Sequence, residues 1–234
     1  MSASFDVFAY RTNFVRAAPL VLAVPVVLGI GLVQAGAPLD MGAVALGVVG
    51  WFAALALRAP LAGLIARAVQ QDRTRADPLI AVVSGVVEEV VRLCIVLLVG
   101  LAAAPALWVG LGWGGAEALF AIVSGAAILA LIGRDPEAEQ AISLIPMRNQ
   151  TRSDSPLWGV IERIWKMGLH IGWTLLIAAS PILVIVTIVA HAATEFALEA
   201  PAVALGLART QVIGLAWAAI TLLAASFAWG TFVR

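Results

Sequence analysis

Pro78-Leu-Ile-Ala-Val-Val-Ser-Gly-Val-Val-Glu-Glu-Val-Val-Arg-Leu-Cys-Ile-Val-Leu-Leu-Val-Gly100 is the stretch on which the reading of this chain turns. It is long enough to cross a bilayer, yet it holds Glu88, Glu89 and Arg92 within five residues. A charge at the bilayer centre costs at least ~2.5–3.5 kcal/mol on insertion scales, so such groups mark a catalytic centre or a polar pathway. The whole chain has the same character. Its 234 residues are 62% hydrophobic and 12% charged, against roughly 45–50% and 25% in soluble domains. The expectation is an all-α polytopic membrane protein, one transmembrane domain over residues 1–234.

Apolar runs bounded by Pro, Gly and charge predict about seven helices, at 14–35, 41–69, 78–102, 106–132, 157–179, 181–198 and 207–232. Arg58 followed by Pro60 predicts a kink or break in the second. Ser180-Pro181 leaves almost no loop between the fifth and sixth, making them antiparallel neighbours. A polar loop is expected over 133–156. The first apolar run is too long for a signal-peptide core and reads as a retained span. Arg11, Arg16, Arg67, Arg73, Arg75, Arg134, Arg148, Arg152 and Arg209 fall on the N-terminal side of these spans, and Arg234 alone on the other. The positive-inside bias therefore predicts a multi-pass protein of the cell membrane with a cytoplasmic N-terminus. Zero net charge and the lack of a basic patch exclude nucleic acid as a partner. Cys94, the one cysteine, excludes an intrachain disulfide framework.

Depth brings the polar residues together. Glu88 lies about ten residues into its span, roughly 15 Å from the inner edge, and Glu117 roughly 16 Å from the outer edge of the next. His170 and His191, the only histidines, fall near the same midplane. Four helices thus place ionisable groups in one layer, where the bilayer penalises them unless they face one another. Glu88 and Arg92 share a face at i, i+4, which predicts an ion pair, while Glu89 points about 100° away toward another helix. Glu162, Lys166, His170 and Thr174 form a second i, i+4 stripe, in which Thr174 is placed to support the imidazole. His191 and Glu195 repeat the spacing. Glu117 has a plain alternative as a partner of Trp108 or Trp113, and Glu162-Arg163 with Lys166 reads as an interfacial cluster. Gly112-Trp-Gly-Gly115 reads equally well as a close helix-packing face.

Taken in order, Glu88-Glu89-x-x-Arg92, Gly110-Leu-Gly-Trp-Gly-Gly-Ala-Glu117, Glu162-Arg163 with His170-x-x-x-Thr174, and His191-x-x-x-Glu195 resemble the YhfC family of intramembrane metalloproteases. That family lies in the clan of CAAX prenyl proteases and bacteriocin-processing enzymes. The resemblance covers roughly residues 78 to 200. It implies peptide-bond hydrolysis in or near the membrane, with Glu88 or Glu89 activating a water and Arg92 as orienter. His170 and His191 would be metal ligands or oxyanion partners. A zinc ion would be held by Glu88, His170 and His191, and a membrane protein or peptide would be the substrate. Ser84 to Arg92 also resembles a helix of the anterior-pharynx-defective scaffold subunit of gamma-secretase, which is placed with its N-terminus outside, opposite to the charge count here. The second motif departs from the enzymes: where they read Gly-His-Gly-Gly-x-Glu, this chain has Trp113, which neither binds a metal nor accepts a proton. The departure keeps open an inactive seven-helix scaffold serving a partner membrane protein. A proton-coupled transporter is the remaining alternative, weakened by the lack of repeats.

Overall fold

The computed structural model describes residues 7–69, 72–131, 157–199 and 206–232, and among these it is all-α, without a strand. The helices are α1 (Val7–Gln34), α2 (Met41–Ala68), α3 (Arg73–Val99), α4 (Ala103–Leu131), α5 (Leu157–Ala179), α6 (Val184–Thr194) and α7 (Leu207–Phe232). A single 3-10 turn, Pro181–Leu183, joins α5 to α6, and a π-helical turn, Glu195–Glu199, continues α6. α5 has the expected bounds, and α7 ends where expected. α3 starts five residues before Pro78. The expected polar loop of 133–156 lies outside the described residues.

Among the described residues, four helices are long and apolar enough to cross a membrane: Arg11–Gln34, Met41–Ala68, Ala103–Leu131 and Ala208–Phe232. α3 and α5 are also long, at 27 and 23 residues, but α3 carries three charges near its middle and α5 three in its first half. The apolar stretch Pro181–Ala197 is shorter. The seven apolar runs are therefore helices, and about four of them qualify as spans on length and composition alone. α2 does not break at Pro60. It runs unbroken for 28 residues from an N-cap in which Asp40 accepts the Ala43 N–H at 2.9 Å, because the pyrrolidine costs one ladder bond and the flanking turns keep theirs.

α4 is the hub. Gly47 of α2 meets the Val109 carbonyl of α4, and Gly112 of α4 meets that of Val44, so neither position has space for a Cβ. On its other side, Gly110 lies against the backbone of His170 and Ile171, and Gly114 against Met167. Gly112-Trp-Gly-Gly115 is thus a close-packing face that brings backbones together where lipid supplies no hydrophobic drive between helices. α7 covers the far side of α5, where Thr221 meets Gly172. α6 rests on α3 at Gly85, against the Ile188 carbonyl and Ala192. Large apolar side chains such as Val27, Leu98, Leu223 and Phe227 point outward, while Glu88, Glu89, Arg92, Arg163, His170 and His191 are buried. A bundle that is apolar outside and charged inside is arranged for lipid as its solvent.

Candidate membrane-embedded polar site

Glu117 is the central residue of α4, and Glu88 and His170 sit two residues past the centres of α3 and α5. The layer predicted from depth exists as direct contacts between helices. It has two faces, and the neighbouring glutamates separate onto them.

The closed face is built on Glu89 and Arg92, whose side chains are fully buried. Arg92 Nε donates to both Glu89 oxygens, at 3.1 and 3.2 Å. Its Nη1 donates to Thr174 Oγ1 at 3.0 Å and to the His170 carbonyl at 3.4 Å, and its Nη2 lies 3.1 Å from His170 Nδ1. The guanidinium is 4.2 Å from the Trp113 ring centroid, a cation–π contact in a desolvated place. The expected Glu88–Arg92 pair is therefore replaced by Glu89–Arg92, at i, i+3. Thr174 serves Arg92 and its own helix, donating to the His170 carbonyl at 2.6 Å, rather than the imidazole.

These contacts fix the tautomer of His170 by donor and acceptor type. Arg92 can only donate, so Nδ1 of His170 accepts. The proton is then on Nε2, which donates to Glu117 Oε2 at 2.7 Å. Both ring nitrogens of His170 are consumed. His191 is the opposite case. Its Nδ1 is 2.8 Å from Glu89 Oε1, an oxygen already accepting from Arg92, so Nδ1 donates. Its Nε2 faces only carboxylate oxygens, 3.9 Å from Glu88 and 3.6 Å from Glu195, groups that accept and do not donate. Trp173 stacks on the ring at 4.7 Å between centroids and 21° between planes. A carboxylate behind a ligating or proton-accepting histidine sets its tautomer and raises its basicity.

The open face borders a cavity of about 580 Å³ between α2, α3, α4, α5 and α6. Glu88, Glu117, His170, His191 and Glu195 line it, whereas Glu89 and Arg92 do not. Arg58 of α2 reaches in: its Nη1 is 2.8 Å from Glu88, 3.5 Å from Glu195 and 3.4 Å from Ser84 Oγ. Trp113 Nε1 donates to Glu88 Oε2 at 3.2 Å. Glu117 is paired with Arg163 at 3.0 Å and Lys166 at 3.2 Å, not with Trp108, whose indole donates to the Pro38 carbonyl. Arg163 and Lys166 also hold Glu162, at 2.8 and 3.5 Å, so that cluster faces the cavity as well as its own helix.

Among the described residues, the group able to hold a metal ion together is Glu88, His191 and Glu195, whose ligand atoms all lie within 4.8 Å of one another. The third donor is Glu195 where His170 was expected, since His170 has no free lone pair. Glu195 opens the π-helical turn, a distortion that re-aims side chains and recurs at functional sites. Sequence reasoning missed Arg58, although the argument applied to Glu88 reaches it: an arginine eighteen residues into a 28-residue apolar helix carries the same penalty.

Fold and site together define a helical membrane protein with a buried charged layer opening into a cavity. No family model, curated protein or solved structure matches the chain.

Proposed function

We propose that this protein is an intramembrane hydrolase of peptide bonds, of the kind the YhfC-like motifs imply, with Glu88 as the group that takes a proton from water. One observation carries the reading: Glu88, His191 Nε2 and Glu195 converge on one cavity wall, while Glu89 and Arg92 hold that wall from behind. A water beside Glu88 gives up a proton as its oxygen adds to the scissile carbonyl. Glu88 returns the proton to the amine as the carbon–nitrogen bond breaks, as a positioned carboxyl does in general acid–base catalysis. Arg58 presents N–H donors to the developing oxyanion. Glu89 keeps the His191 ring oriented.

Zinc, the metal implied by the resemblance, fits the donor types present: one imidazole nitrogen and two carboxylates, from Glu88, His191 and Glu195. Bound there, with Glu88 among its ligands, it would polarise water or the carbonyl in place of proton transfer by Glu88. The substrate is a membrane protein or membrane-inserted peptide. The charge bias supports a cytoplasmic side for the N-terminus, and with it for the cavity half bounded by the start of α5 and the end of α4, in a protein of the cell membrane.

A scaffold reading has its own observation. Trp113 donates to Glu88 and Arg58 bridges Glu88 to Glu195, which is how a polar core locks helices. The two readings are separated by mapping new protein N-termini in membranes expressing wild type or Glu88→Gln. Cleavage products that vanish in Glu88→Gln support the hydrolase. Identical maps, with both proteins present at equal level, sink it in favour of the scaffold.

A further inference from the structure

We infer that Arg58 is a tethered cation occupying the place a divalent metal would take between Glu88 and Glu195, so that arginine and metal exclude one another. The inference rests on the hydrolase reading only in treating this cavity as the working site. Arg58 Nη1 touches a carboxylate oxygen of each residue, at 2.8 and 3.5 Å. Those two carboxylates and His191 Nε2 are also the three donors within mutual reach of one ion. A zinc–oxygen bond of about 2.0–2.2 Å needs the carboxylate lone pairs that the guanidinium now uses.

Charge works in the same direction. Glu88 and Glu195 carry two negative charges, which a divalent ion held by them and His191 would balance alone. Adding the guanidinium to that ion leaves an excess positive charge inside the bundle, where unbalanced charge is heavily penalised. Arg58 has somewhere to go, since 23% of its side chain is exposed and it borders the cavity. Glu88 comes from α3 and Glu195 from the turn after α6, so Arg58 ties α2 to both. A metal ion would keep the α3–α6 tie and release α2.

The test uses the full-length protein in detergent micelles, stripped with chelator, dialysed against Zn²⁺ alone and counted by mass spectrometry. Arg58→Gln is expected to bind about one equivalent roughly tenfold or more tighter than wild type. Arg58→Lys, which keeps the charge, should stay near wild type, and Glu195→Gln added to Arg58→Gln should erase the gain. Equal affinity of Arg58→Gln and wild type, or a gain that survives loss of Glu195, overturns the inference. A second arm needs no variant. Wild type is treated with phenylglyoxal, with and without saturating Zn²⁺, and modification of Arg58 is mapped by peptide mass. Greater modification with bound Zn²⁺, or Zn²⁺ bound by Arg58→Gln and not by wild type, supports exclusion, whereas bound Zn²⁺ with Arg58 equally protected refutes it. Metal counts do not depend on cleavage, so a protein that shows exclusion yet cleaves nothing loses the hydrolase reading and keeps this one.

Discussion

Glu88 and Glu89 are adjacent, chemically identical and equally deep in the bundle, yet their surroundings have opposite character. Glu89 is closed in by Arg92, His191 and the packing of α5. Glu88 faces a cavity and meets an arginine whose side chain is partly exposed. The roughly 100° between successive residues of a helix is enough to send one carboxylate to the scaffold and the other to the cavity. Buried charge is therefore not one thing in this protein: behind the wall it fixes geometry, and on the wall it is available for chemistry.

The comparison breaks most visibly at Arg92. Arg92→Met leaves Glu89 buried without its cation, and removing one partner of such a pair costs about 3–5 kcal/mol. The variant should lose most folded protein in a detergent thermal melt; a melting temperature near wild type would mean the closed face is not what holds the bundle. Next come the glutamates themselves. Glu88→Gln should lower cleavage by about 10²–10⁴-fold, the range for a lost general base, with a melting temperature close to wild type. Glu89→Gln should lower the melting temperature, because its amide nitrogen meets donors of Arg92 and His191. If the two substitutions behave alike, the division of labour is wrong.

Smaller effects sharpen the frame around the site. Gly47→Val forces a side chain into the Val109 carbonyl, so α2 must shift away from α4. Overpacking of this kind costs about 1–3 kcal/mol, and the shift should also weaken the Arg58–Glu88 contact, read as increased phenylglyoxal modification of Arg58. Asp40→Ala removes only the N-cap of α2, worth about 1 kcal/mol. It serves as the control: a thermal melt should show a small loss with cleavage unchanged, and a large loss of cleavage would show that α2 transmits more than its cap.

Much of this was legible before any coordinates. The penalty on intramembrane charge singled out Glu88, Glu89, Arg92, Glu117, His170 and His191, and helical rise put them in one layer, where they now touch. Arg58, Arg163 and Lys166 obey the same penalty, but the kink signal of Pro60 and the apparent interfacial position of the others drew the reading elsewhere. The assignment of Arg92 to Glu89 rather than Glu88 was out of reach, because i, i+3 and i, i+4 pairs are both allowed on a helix surface. Which forms depends on where Thr174 and the His170 carbonyl stand, and those come from another helix.

By itself, then, the sequence determined the helices, the lipid-facing exterior and the existence of a polar layer, since these follow from hydrophobic length, rise per residue and the cost of charge in hydrocarbon. The tertiary structure alone decided which glutamate is open, which histidine borders Glu88 and Glu195, and that Arg58 bridges those two carboxylates. Those outcomes depend on the rotation of each helix about its own axis, which the glycine contacts of α4 set and no single helix encodes.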